Sequence, residues 1–95
     1  EGRRWLGRLL DDPRAPESVL AKALNGAGNL ALAQGDYDDA TLRHRAALRI
    51  LRRLGDARAM AGTLSNLGLG ASDRGDWETA ERCFAESLSL FEELG

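Results

Sequence analysis

A chain of 95 residues is long enough for one small domain, and its net charge of −2 gives no global field to draw in nucleic acid or an anionic membrane. No apolar run nears the ~18–20 residues of a membrane span. A single cysteine, Cys83, excludes an internal disulfide and fits a reducing, cytoplasmic setting.

The first stretch, "EGRRWLGRLL", has charges scattered through it and does not read as a signal peptide. It begins with Glu, so the chain reads as a piece of something longer. Residues 1–10 read as the second helix of a preceding unit, with Trp5 and Leu9 on its apolar side. "DDPRAPES" (11–18) then breaks the pattern, and Pro16 suits a first helical position.

From residue 16 the chain repeats itself. Residues 16–55 and 56–95 align without a gap at a period of 40. Ala21/Ala61, Leu24/Leu64, Gly28/Gly68, Ala31/Ala71, Gly35/Gly75, Asp36/Asp76, Ala40/Ala80, Leu48/Leu88, Leu54/Leu94 and Gly55/Gly95 are identical. These are small, turn or apolar residues, whose identity packing dictates.

Each unit reads as two helices. Leu20, Leu24, Ala27, Gly28 and Ala31 recur at spacings of three and four, an amphipathic stripe. Ala40, Ala47, Leu48, Leu51 and Leu54 do the same in a second helix. Unit two repeats both stripes with Met60, Leu64, Leu67, Gly68 and Ala71, then Ala80, Phe84, Leu88, Phe91 and Leu94. No stretch shows the strict alternation of a half-buried strand.

The turns "QGDYDDA" (34–40) and "RGDWETA" (74–80) carry a mechanism. Gly35 and Gly75 suit the left-handed position that ends a helix. Asp36 and Asp76 suit the N-cap of the next, with Asp38, Asp39 and Glu78 favourable in its first turn. Tyr37 and Trp77 are expected to wedge between the helices of a pair, and Ala40 and Ala80 to permit a close crossing. Gly55 and Asp56 play the same stop-and-start roles between units.

Leu, Gly, a small residue, Gly-Asp-aromatic, Ala, an aromatic, a small residue and Leu stand in that order in unit two: Leu64, Gly68, Ala71, Gly75-Asp76-Trp77, Ala80, Phe84, Ser87 and Leu88. This resembles the tetratricopeptide repeat family, in a long variant of 40 residues. Unit one departs from the pattern at His44, where Phe84 stands in unit two. HEAT and armadillo repeats share the period but lack the Gly-Asp-aromatic turn. The resemblance implies an all-α, right-handed α-solenoid of antiparallel helix pairs, about five helices in a single domain. It is closest to the C-terminal arrays of bacterial signalling ATPases and regulators. It implies a scaffold that binds a protein or peptide through its concave groove.

The resemblance also implies which residues line that groove. They are Lys22, Asn25, Asn29, Leu32 and Ala33 in unit one, and Ser65, Asn66, Leu69, Ser72 and Asp73 in unit two. An amide both donates and accepts, so Asn29 and Asn66 can pair with a peptide backbone. The lysine of a carboxylate clamp is missing, because Asn25 stands in its place.

No phosphate-binding loop, HExxH, CxxC or GxSxG motif is present, so the sequence points to no enzyme, cofactor or metal site. His44 reads as a packing residue and Cys83 as an inert helix residue. The helix over 38–54 carries Arg43, Arg45, Arg49, Arg52 and Arg53, while that over 77–94 carries Glu78, Glu81, Glu86, Glu92 and Glu93. No aromatic interleaves the arginines, which argues against nucleic acid. The alternative function is structural: a spacer or self-assembly segment whose apolar, complementary ends form homo-oligomers.

Overall fold

The computed structural model describes residues 16–95. Four α-helices follow one another: α1 Glu17–Ala33, α2 Tyr37–Leu54, α3 Ala57–Asp73 and α4 Trp77–Leu94. There is no strand among the described residues. The expected helix over 1–10 lies outside them.

All three joints between helices are built alike. Gly35, Gly55 and Gly75 take φ of 78°, 69° and 82°, where a side chain would be strained. At the first joint the Gly35 N–H donates to the Leu32 carbonyl (3.1 Å) and the Asp36 N–H to the Ala31 carbonyl (2.9 Å). These two bonds make a Schellman motif. Asp36 then caps the next helix, its Oδ1 accepting from the Asp39 N–H at 3.2 Å. Asp56 accepts in the same way from Ala59 (3.1 Å) and Asp76 from Thr79 (3.2 Å). Hydrogen bonds from the Thr79 side chain and then its backbone hold the Asp76 carboxyl below its usual range. Each cap satisfies one of the free N–H groups that open its helix. The entry to α1 differs from the sequence expectation by one position. Pro16 is the N-cap itself, in extended conformation, and its carbonyl accepts from Val19 and Leu20 at 3.0 Å.

Each helix packs on the next in sequence. Ala21, Leu24 and Ala31 of α1 are buried, as are Ala40, Ala47 and Leu51 of α2. In the second pair Ala61, Leu64, Leu67, Ala71 and Ala80 repeat that core. Ser87 replaces the Ala47 of the first pair, and its buried hydroxyl donates to the Ala61 carbonyl at 2.7 Å. The abundance of Ala lets the helix axes approach closely.

The two pairs differ on one flank. α3 covers α2, but no described helix covers the matching flank of α4. Phe84, Leu88, Phe91 and Leu94 therefore stay exposed, although they continue the apolar stripe. Trp77 corrects an expectation most clearly. It is 68% exposed and wedges between no helices, whereas Tyr37, on the covered helix, is half-buried. Leu54 is likewise exposed at the end of α2.

The basic and acidic second helices meet only through long side chains. Arg52 of α2 pairs with Glu86 of α4 at 2.9 Å, and Arg74, just after α3, pairs with Asp38 of α2 at 3.1 Å. Both pairs are solvent-exposed and worth ~0–1 kcal/mol each.

Candidate partner-binding groove

Helices α1 and α3 lie side by side and touch directly. Thr63 Oγ1 donates to Asn25 Oδ1 at 3.2 Å, and a Cβ on Gly70 would stand 3.5 Å from Leu32 Cδ1. The backbones of α2 and α4 do not approach each other in this way. The stack is tighter on the α1/α3 side, so that side is concave.

One open stripe runs along each of these helices. On α1 it is Lys22, Gly26, Asn29 and Ala33, all exposed. On α3 the positions 40 residues later are Gly62, Asn66, Leu69 and Asp73, half-buried to exposed. Spacings of four, three and four keep each set on one helix face. The stripe offers an ammonium at Lys22, amides at Asn29 and Asn66, an apolar contact at Leu69 and a carboxylate at Asp73.

The residues expected to line the groove divide into two groups. Lys22, Asn29, Ala33, Asn66, Leu69 and Asp73 stand on the open stripe. Asn25, Leu32 and Ser65 turn toward neighbouring helices. Asn25 binds Thr63, Leu32 packs near Gly70, and Ser65 Oγ pairs with Ser87 Oγ at 2.8 Å. Ser72 is half-buried between the two groups. Gly26 and Gly62 complete the stripe and were not singled out in the sequence. Their place follows from the spacing to Lys22 and Asn66, but glycine carries no chemical signal of its own.

Directly behind the stripe lies a histidine. His44 of α2 is 1% exposed, and its Nε2 lies 3.0 Å from Asn29 Oδ1. The ring rests flush on the α1 backbone because Gly28 has no Cβ; an added one would stand 2.5 Å from His44 Cδ2. Phe84 sits over Gly68 in the same way, with the corresponding distance 2.6 Å. His44 is thus the packing ring of its repeat, with two polar atoms that Phe84 lacks.

Burial pushes the His44 pKa below 6.5, and a hydrogen bond with the Asn25 backbone offsets part of that. The fold therefore prefers the neutral ring, while the unfolded chain protonates near 6.5. Between those two values the unfolded state binds more protons, so stability falls as pH falls. Urea midpoints measured from pH 7.5 downward should hold steady, then decline below about 6.5. His44→Phe should remove that part of the decline.

Cys83 is half-buried, and burial followed by Glu86 pushes its thiol pKa up. A raised pKa makes a poor nucleophile at neutral pH. Among the described residues no group of three His, Cys, Asp or Glu is placed to hold a metal ion. No described helix is long and apolar enough to cross a membrane.

Paired helices, small-residue crossings and an open concave stripe define a helical-repeat protein. The tetratricopeptide repeat family model matches residues 19–93, and the chain belongs to that family. The family is one of protein-interaction modules, and its repeats are typically non-catalytic. No curated protein and no solved structure matches the chain.

Proposed function

We propose that the α1/α3 stripe binds an extended peptide or a segment of a partner protein, within a cytoplasmic bacterial signalling or regulatory protein. One observation carries this reading. Five buried crossing positions, Ala21/Ala61, Leu24/Leu64, Gly28/Gly68, Ala31/Ala71 and Ala40/Ala80, are identical in the two repeats, whereas all four open ones differ: Lys22 against Gly62, Gly26 against Asn66, Asn29 against Leu69, Ala33 against Asp73. The result is a surface of varied chemistry on a regular frame. Asn29 and Asn66 can each meet a peptide unit, Leu69 an apolar side chain, and Lys22 and Asp73 opposite charges.

The test is partner capture from lysate by the intact protein and by an Asn29→Ala/Asn66→Ala/Leu69→Asp variant. Loss of a specific partner, with helicity and melting unchanged, is the expected result. Capture that stays unchanged while the fold is intact removes these residues from the binding surface.

A second reading, self-assembly, is favoured by the bare flank of α4. Trp77, Phe84, Leu88 and Phe91 are 68%, 39%, 59% and 47% exposed. Their equivalents Tyr37, His44, Leu48 and Leu51 on α2 are half-buried or buried. The occupant of this flank is a second copy, stacked head to tail with its α1 in the place that α3 takes on α2. Such a stack brings the acidic α4 beside the arginine-bearing α2 of the next copy. Light scattering should show mass rising with concentration, and Leu88→Glu/Phe91→Glu should abolish the rise. A clean monomer at high concentration rules this reading out.

A further inference from the structure

Three of the four helices open on acid, as the helix dipole favours: Glu17 in α1, Asp38 and Asp39 in α2, Glu78 in α4. Helix α2 also closes on Arg52 and Arg53. Helix α3 does the reverse. It has no acid in its first turn and no base in its last. Arg58 is its second residue and Asp73 its last, so each charge sits at the dipole end of like sign. Both are exposed, and neither is in an ion pair among the described residues. Their placement works against the helix that holds them.

Two glycines of the stripe do the same. Gly26 and Gly62 lie inside helices, where glycine is less favourable than alanine. Packing does not call for them, because an added Cβ would meet nothing within 4 Å at either. Gly28 and Gly68, by contrast, each lie under a ring.

These residues share one face. Arg58 stands one turn before Gly62 and continues the stripe of Gly62, Asn66, Leu69 and Asp73. Thr63 lies opposite Asn25 and Gly70 opposite Leu32, so α1 and α3 run parallel with residues 38 apart at one level. Lys22 therefore stands level with Met60, between Arg58 and Gly62. It too is exposed and in no ion pair among the described residues. The groove thus has a basic end, Lys22 with Arg58, and an acidic end, Asp73. Gly62 lies beside the first and Leu69 beside the second.

We infer that the groove selects its peptide by charge order: an acidic side chain over Lys22 and Arg58, the main chain laid close on Gly62, an apolar side chain against Leu69 and a basic side chain over Asp73. The inference rests on the groove reading above and narrows it to a partner of mixed charge. The helix rise puts Leu69 ~16 Å and Asp73 ~22 Å beyond Arg58. At ~3.3 Å per residue an extended chain covers those spans in about five and about seven residues. An all-anionic partner such as nucleic acid meets Asp73 with like charge, and an all-cationic one meets Lys22 and Arg58.

Octapeptides with blocked termini are the probe, titrated into the isotope-labelled chain and followed by NMR. One set carries Glu first, Leu sixth and Arg eighth; a second set exchanges Glu and Arg. Each set is made in both chain directions. At low salt the better-bound member of the first set should bind ~3–10-fold tighter than any of the second, and the gap should close in about 0.5 M salt. Lys22→Glu/Arg58→Glu/Asp73→Arg should reverse the preference. That variant gives α3 favourable end charges, so it should melt no lower than the parent, which separates lost binding from unfolding. Gly62→Ala should melt higher and bind the first set more weakly. Equal binding of the two sets, no binding by either, or a preference that the triple variant leaves in place overturns the inference, and so does parental binding by Gly62→Ala. Peptide binding that ignores charge order but is lost in Asn29→Ala/Asn66→Ala/Leu69→Asp leaves the groove standing and removes only this inference. Unchanged partner capture by that variant removes both.

Discussion

Gly28→Ala should destabilise the fold by about 2–4 kcal/mol, while Gly68→Ala should lie within ~1 kcal/mol of the parent. Both glycines lie inside helices, where alanine alone gains ~1 kcal/mol in propensity. Both would drive a Cβ into an aromatic ring, at 2.5 Å for His44 and 2.6 Å for Phe84. Overpacking of that kind costs ~1–3 kcal/mol. The difference lies in where the ring can go. Phe84 is 39% exposed and can slide toward solvent. His44 is 1% exposed and held by Asn29, so moving it also breaks a partly buried hydrogen bond, worth a further ~1–3 kcal/mol. Urea unfolding of both variants measures the contrast. Adding His44→Ala to Gly28→Ala should restore part of the loss, because the clash then disappears. Equal costs at the two glycines would refute this account.

The second large effect is expected at Leu64. Leu64→Ala removes a side chain that is 3% exposed, at a cost of ~2–5 kcal/mol. Leu88→Ala, also a leucine kept in both repeats, should change stability by no more than ~0.5 kcal/mol, because Leu88 is 59% exposed. The same pair of measurements at high protein concentration bears on self-assembly. If a second copy covers α4, the cost of Leu88→Ala should grow with concentration.

The contrast between Leu64 and Leu88 also marks the boundary of what the sequence can tell. A repeat period identifies equivalent positions, and the Gly-Asp turns place the joints to the residue. Local chemistry determines both, so Gly35, Asp36, Gly75 and Asp76 stand as the sequence implies. Amphipathic spacing further says which side of a helix is apolar. It cannot say whether a neighbour is there to cover that side, and Trp77 was misjudged for this reason. Helix faces were also blurred by one residue. A step from Asn25 to Gly26 turns ~100° around the axis, enough to exchange packing for open groove. Asn25 and Ser65 suit either place as amide and hydroxyl. Only the partners Thr63 and Ser87 decide it, and they come from helices distant in the chain. The role of His44 lay half in view. Its departure from the Phe84 pattern was visible, but its contact with Asn29 needs the two helices assembled.

The joints themselves have a mechanical consequence. At each one, the residue after the left-handed glycine both completes the stop of one helix and caps the next. No spare residue is left to act as a slack tether. The joint within a repeat and the joint between repeats therefore share one backbone geometry. Compliance must come from small slides of alanine-rich faces, shared along the whole stack. Such an array behaves as a uniform spring. A partner longer than the relaxed groove would be fitted by a gradual change of pitch, with every repeat taking a share of the strain.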